Sequence, residues 1–246
     1  MVGRLWPNRI DRPGTPERAW DSWPTLRHLP LADPLAWPSV AVVAAHPDDE
    51  VLGVGGTIAM LASAGVRLRL VAVTDGEASH PDADPAVTGR VRIAESAAAL
   101  DVLGAGGVEV IRLRLPDTGL GTREGELEAI LDRQCAGFEV CLAPWAGDAH
   151  ADHEAAGRAA RQAARRAGRM VLSYPIWMWH WAKPADSRVP WHLACQISLP
   201  SEVAAKKRSA IGAFVSQLTD RGAGAGPVLA VGFVAHFTRP EEVLLR

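Results

Sequence analysis

The sequence predicts an α/β protein: a Rossmann-like, open, mostly parallel sheet with helices on both faces. Three observations predict it. Short apolar runs of the kind that form buried strands recur along the chain. Segments of helical length separate them, several ending at a glycine (Gly65, Gly104, Gly168). Polar clusters follow the first, second and fourth runs, on the edge where open parallel sheets form ligand sites.

In chain order, residues 1–38 carry Pro7, Pro13, Pro16, Pro24, Pro30, Pro34 and Pro38 without any helical or strand period. They read as an irregular arm. Trp6, Trp20, Trp23 and Trp37 predict that this arm packs on the body, because a free linker rarely carries so many indoles. Residues 39–246 read as a single domain. Strands are expected at 40–45, 66–73, 108–113, 140–143 and 170–173. Helices are expected between them at 57–64, 92–103, 124–134 and 152–167. Strands alternating with helices of about 10–15 residues are βαβ units, which build a parallel sheet covered on both sides. Residues 193–199, a helix over 201–218 and residues 228–237 finish the chain, extending or flanking the sheet, with a glycine-rich turn at 222–227.

Composition narrows the function. The 246 residues have a formal charge of 26 − 28 = −2 and a pI near 6.4, so the basic footprint of a nucleic-acid binder is missing. No apolar run approaches the roughly 18 residues of a membrane span, and the first thirty residues lack a signal-type apolar stretch. Cys135, Cys141 and Cys195 are too few and scattered for a disulfide framework or a cysteine-rich zinc site. A soluble, cytoplasmic protein is expected; its oligomeric state leaves no trace in the sequence.

Two clusters carry chemistry. Ala45-His46-Pro47-Asp48-Asp49-Glu50 follows the first strand, and Asp148-Ala-His150-Ala-Asp152-His153 follows the fourth. Imidazole and carboxylate are the usual ligands of a catalytic zinc, which takes three protein groups and leaves a position for water. His46 and Asp49, at i and i+3, are aimed together by one turn; Asp48 then points elsewhere, as suits a carboxylate that addresses the water. His153 completes a triad from the neighbouring loop. Each member has a plainer reading as well: a hydrogen-bonded strand-end histidine, a solvated acidic turn, or, for Asp152, a helix cap. Gly53-x-Gly55 with Asp75 twenty residues on mimics a dinucleotide fingerprint, but Ile58 stands where its third glycine belongs. Asp75 in Thr74-Asp75-Gly76 is read as a turn residue or a pocket group. Trp177, Trp179, Trp181 and Trp191 form an aromatic run read equally as a sugar-stacking wall or as packing under a long loop. Arg158, Arg161 and Arg165 share a helical face, read as solvated.

The first cluster with Gly53, Gly55 and Gly56 resembles the signature of the LmbE-like (PIG-L) zinc-dependent N-deacetylases, and His150-Ala-Asp152-His153 is similar to that family's His-x-Asp-His element. The likeness runs from about Val40 to Gln217 and takes in Arg92-x-x-Glu95, Pro116-Asp117-x-Gly119-Leu120 and Ser216-Gln217. It implies His46, Asp49 and His153 as metal ligands and Asp48 as general base. It further implies that His150 stabilises or protonates the tetrahedral intermediate, that Asp152 orients an imidazole, and that Arg92 and Asp117 hold the sugar. The family often has a tyrosine two residues before the first histidine of the second motif. Here that residue is Asp148, and Tyr174, the only tyrosine, sits elsewhere. The activity implied is hydrolysis of an N-acyl amide, N-acetyl first, on a small-molecule amino-sugar conjugate such as one containing N-acetylglucosamine, with Zn2+ or alternatively Fe2+ as cofactor. The competing expectations are a hydrolase of a longer N-acyl amide and a non-catalytic sugar-conjugate binding protein on the same fold.

Overall fold

The computed structural model describes residues 13–80, 82–222 and 226–246. Trp6 and Pro7 of the expected arm and the middle of the glycine-rich turn lie outside them. The elements are α1 (Glu17–Asp21), α2 (Pro24–Arg27), β1 (Ser39–Ala44), α3 (Asp49–Ser63), β2 (Arg67–Ala72), α4 (Pro85–Leu103), β3 (Glu109–Arg112), α5 (Glu124–Gln134), β4 (Val140–Pro144), α6 (Ala151–Arg166), β5 (Met170–Tyr174), α7 (Met178–Trp181), β6 (Ala194–Ser198), α8 (Ser201–Ile211), α9 (Val215–Leu218), α10 (Val231–Val234) and β7 (Glu241–Leu245).

The strands form one mixed sheet in the order β3-β2-β1-β4-β5-β7-β6. β1 to β5 are parallel, whereas β7 runs antiparallel to both β5 and β6. The chain winds outward from β1 in one direction and from β4 in the other, so a crevice opens at their carboxyl ends. On β1 the pleat sends Val40, Val42 and Ala44 into one apolar layer, with α3, α4 and α8. Ala41, Val43 and Ala45 enter the other, with α5 and α6. Continuous burial along β1 follows from this double cover.

Two glycines let helices lie close to the strands that carry the clusters. A Cβ at Gly157 of α6 would fall 2.3 Å from the carbonyl oxygen of Pro144, so the amino end of α6 can sit against the end of β4. A Cβ at Gly53 of α3 would fall 2.3 Å from the Tyr174 ring. The expected helix over 57–64 is only the second half of α3, which begins at Asp49 and breaks its helical conformation at Val54 (φ −141°, ψ 23°). The break frees the amides of Gly56 and Thr57, and both donate to the Glu242 carboxylate on β7, at 2.7 and 2.9 Å. Glu242 therefore caps a helix in mid-course. It also accepts from Thr57 Oγ1 at 2.6 Å and pairs with Lys207 Nζ at 2.7 Å, a fully buried ion pair.

Other boundaries moved for local reasons. α4 starts at Pro85 because Asp84 caps it, accepting from the amides of Ala86 and Val87. The helix expected over 201–218 is two, α8 and α9, parted after Ile211. The Pro-rich segment contains α1 and α2, and Trp20 is wholly buried, edge-on to Trp179 at 5.1 Å with its Nε1 donating to Trp179 O. Leu31 bridges to Gln196, so this segment also covers the β6 edge. Arg158 of the α6 stripe pairs with Glu124, and Arg166 with Glu128, both on α5. No helix among the described residues is long and apolar enough to cross a membrane.

Candidate active site

The site is assembled from the end of β1 inward. Asp48, just past that end, has φ 120° and ψ −32°, a conformation that side chains other than glycine rarely adopt. It is held there from two sides. Arg92 Nη2 donates to Pro47 O at 2.6 Å and to Asp48 Oδ2 at 3.0 Å, while Nη1 donates to Gly76 O at 2.9 Å. The Asp48 amide donates to Glu50 Oε2 at 3.2 Å, and Glu50 Oε1 accepts from Ser96 at 2.7 Å. Because of this twist, adjacent carboxylates face different partners: Asp48 turns to Arg92, and Asp49 to imidazoles.

His46, Asp49 and His153 converge. His46 Nδ1 lies 3.2 Å from His153 Nε2 and 3.5 Å from Asp49 Oδ2, and His153 Nε2 lies 3.3 Å from Asp49 Oδ1. Donors about 2.0–2.1 Å from a common tetrahedral centre stand about 3.3 Å apart, so the three have the spacing of a zinc ligand set. His46, His150 and His153 also bring ring nitrogens within 4.8 Å of one another, as do His46, Asp117 and Asp152 with their ligand atoms. Of these groupings, the first has the two imidazole nitrogens that are not turned toward outer carboxylates.

Each outer nitrogen has its own acid. His46 Nε2 faces Asp117 Oδ1 at 3.1 Å and Asp152 Oδ2 at 3.3 Å. Asp152 does not cap its own helix; it accepts from the amides of Thr118 and Leu120, tying the 116–120 loop to α6. Asp117 is held in turn, its amide donating to Glu77 and its Oδ2 accepting from Ala78 N. His153 Nδ1 meets Asp148 Oδ2 at 2.7 Å. Such carboxylate partners orient metal-ligating imidazoles.

Electrostatics point the same way. Burial lowers the His46 pKa, but Asp117, Asp152 and Asp49 outweigh it and hold the imidazole well above its ordinary value; His153 is likewise raised against burial, by Asp49 and Asp148. Asp49 is held well below the carboxylate range by His153 and His46 although burial opposes this, and Asp117 is drawn down to about 2 by His46, again against burial. Burial instead pushes Asp48 up to about 7, helped by Asp49 and Glu50 and opposed by Arg92. Four buried aspartates (Asp48, Asp49, Asp148 and Asp152) and the half-buried Asp117 surround two imidazoles, with Arg92 as the fixed cation at Asp48. That donor set fits a divalent ion. His150 behaves differently. Burial and its two histidine neighbours push it down to about 3, and its buried Nδ1 has no hydrogen-bond partner among the described residues.

All the predicted site residues reach this crevice, and all but Asp152 line its cleft, which holds about 780 Å³ of empty space including the open mouth. The cleft also has an apolar wall, Ile176, Trp177, Val228, Leu229 and Phe233, with Gln217 and Arg221 among the other lining residues. Trp177 stacks on Phe233 with centroids 4.4 Å apart. The rest of the tryptophan run packs elsewhere; Trp181 stacks on Trp145, and Trp179 and Trp191 join Trp20. Tyr174 is buried under α3 and donates to Val43 O at 2.6 Å. Sequence reasoning passed over Glu50, whose signal was its place in the first cluster. It also passed over Val228, Leu229 and Phe233, which carried none.

Residues 41–164 match the family model described as PIG-L, GlcNAc-PI de-N-acetylase; they make up half of the chain and contain both clusters. The chain belongs to the PIG-L family. Among solved structures, the conserved protein TT1542 from Thermus thermophilus is 28% identical, with a TM-score of 0.56, covering 73% of this PIG-L chain and 80% of that one. The N,N'-diacetylchitobiose deacetylase from Pyrococcus horikoshii is 21% identical, with a TM-score of 0.59 and coverages of 84% and 81%. The zinc-inhibited form of teicoplanin deacetylase Orf2 is 18% identical, with a TM-score of 0.57 and coverages of 73% and 85%. The last two share the fold. No curated protein matches the chain in sequence. Family membership supports a hydrolase of the deacetylase class, with a candidate metal site at the two clusters.

Proposed function

We propose that the chain is a zinc-dependent N-deacetylase that hydrolyses the N-acetyl amide of an amino-sugar conjugate, such as one bearing N-acetylglucosamine. The observation that carries this is the 3.2–3.5 Å triangle of His46, Asp49 and His153 with Asp48 beside it on a cleft floor. These three residues would hold the ion; when bound, zinc supplies a Lewis acid that polarises an acyl oxygen and brings the pKa of water to about 7.

The protein's own groups do the rest. Asp48 takes a proton from the attacking water, with Oδ2 engaged by Arg92 and Oδ1 as the accepting oxygen. A carboxylate poised near neutrality suits that task. The water oxygen bonds to the acyl carbon, the carbon–nitrogen bond breaks, and Asp48 returns its proton to the departing amine. His150, neutral throughout, donates a hydrogen bond to the developing oxyanion; its depressed pKa supports donor over acid. Asp152 orients His46. Arg92 and Asp117, on the cleft wall, contact the sugar, and Arg92 also steadies Asp48.

The test is a panel of N-acetylglucosaminyl conjugates assayed for new primary amine with and without chelator. No amine from any of them, with zinc or with iron, overturns the reading. The apolar wall favours one second reading, a longer acyl amide, and comparing acetyl with octanoyl substrates separates the two. Tight binding without product over hours would instead indicate a binding protein, a role in which Asp48 has no use.

A further inference from the structure

Asp148 is completely buried, and its carboxylate receives four donors. Oδ1 accepts from the amides of Ile176 and Met178 at 3.0 and 2.9 Å. Oδ2 accepts from the Trp177 amide at 2.9 Å and meets His153 Nδ1 at 2.7 Å. The geometry points to Asp148 as the positioning residue that fixes the tautomer of His153 and couples that imidazole to the apolar wall of the cleft. This rests on the metal reading above, and it gives a task to the position where the resembled family often carries tyrosine.

The argument is one of donor counting. An ionised carboxylate is acceptor-only, so Asp148, already accepting from three amides, accepts from its fourth neighbour as well. His153 Nδ1 must then carry a proton, so in the neutral ring that a metal requires the lone pair is on Nε2, the nitrogen facing His46 Nδ1 and Asp49 Oδ1. The three amides belong to the segment that delivers Ile176 and Trp177 to the cleft. One buried group thus holds a ligand and a wall in a single register. In Asp148→Asn, the amide oxygen still accepts from Ile176 and Met178, but the NH2 takes the place of Oδ2, where it loses the Trp177 bond, faces Nδ1 and draws the proton to Nε2, the wrong nitrogen for a metal.

The test is Zn2+ affinity of the full chain, measured by competition with a chromophoric chelator, alongside urea unfolding of the metal-free proteins. Asp148→Asn is expected to weaken Zn2+ binding by about 10- to 100-fold while still unfolding cooperatively. Histidine 15N NMR of the unaltered zinc-loaded protein is expected to show His153 protonated at Nδ1 only. Equal Zn2+ affinity in variant and wild type overturns the role of Asp148 alone. So does a wild-type spectrum with the proton on Nε2, which decides the matter even if the variant does not fold. A wild-type protein that takes no Zn2+ overturns the metal reading first, and this proposal with it.

Discussion

Replacing Glu242 with alanine strips the Lys207 ammonium of its counter-charge and, in the same step, uncaps the second half of α3. Glu242 accepts from Gly56 N, Thr57 N, Thr57 Oγ1 and Lys207 Nζ, and the Lys207 and Glu242 side chains are 3% and 0% exposed. Breaking a buried pair by removing one partner costs about 3–5 kcal/mol, and a lost cap adds about 1 kcal/mol. The sum of about 4–6 kcal/mol is a large part of the roughly 5–15 kcal/mol that holds a typical domain. Urea unfolding followed by circular dichroism reads it as a fall in midpoint with little change in slope. Adding Lys207→Met to the same chain removes the stranded charge, leaving about 1–2 kcal/mol from the orphaned amides. A loss below about 1 kcal/mol for Glu242→Ala, or a double variant no more stable than the single one, refutes the reasoning.

Three further outcomes are expected. His46→Ala should abolish zinc retention measured by metal analysis, whereas Asp48→Asn should keep the metal and lose turnover by about 100- to 10,000-fold; equal metal loss in both contradicts the separation of ligand from base. Gly53→Ala should destabilise the fold by about 1–3 kcal/mol in urea unfolding, through the clash with Tyr174, and be partly relieved by Tyr174→Leu. The Glu17–His236–Arg239 cluster should make stability fall in acid. His236 is lowered by burial although Glu17 opposes it, and Glu17 is lowered by His236 and Arg239 although burial opposes that. Both contributions are therefore complete above the unfolded values of about 6.5 and 4.3 and vanish as pH drops through the folded ones. The difference in melting temperature between wild type and Glu17→Gln should persist from about pH 7 to about pH 5 and shrink only below about pH 4, as Glu17 itself becomes protonated; a difference that stays constant into that acid range would contradict the assignment.

What the sequence made legible followed from local pattern. β1 and β4 are apolar runs because both sheet faces are covered, and the two clusters stand out because polar residues there end such runs. The start of α3 was hidden because Gly53, Gly55 and Gly56 are poor helix formers; the ring of Tyr174 and the side chain of Leu199, far along the chain, are what make glycine necessary at 53 and 56 within a helix. β7 was hidden because Glu241 and Glu242 open it, and the buried partner that makes Glu242 tolerable lies on α8. Asp148 stood in plain view in the second cluster, yet its partners at 176–178 lie on a loop that no spacing rule connects to it.

The pair Asp48-Asp49 shows how neighbouring residues of one type acquire opposite properties. Side chains at i and i+1 in a regular turn would share surroundings, and two carboxylates together would repel. The unusual φ of Asp48 rotates it away from the imidazoles, at a conformational cost of about 1–3 kcal/mol. Arg92, gripping both Pro47 O and Asp48 Oδ2, and Glu50, accepting the Asp48 amide, offset that cost. The outcome is a carboxylate near neutrality beside one held firmly ionised, the division a base and a ligand require. If the strain served only the turn, Asp48→Gly would relieve it and stabilise the protein without consequence. On this reasoning Asp48→Gly releases no amine and unfolds at lower urea than wild type, because the strain relieved, about 1–3 kcal/mol, is smaller than the roughly 3–5 kcal/mol lost when the buried Arg92 guanidinium is left without its carboxylate. A variant that gains stability and keeps its turnover would show that the strain serves the turn alone.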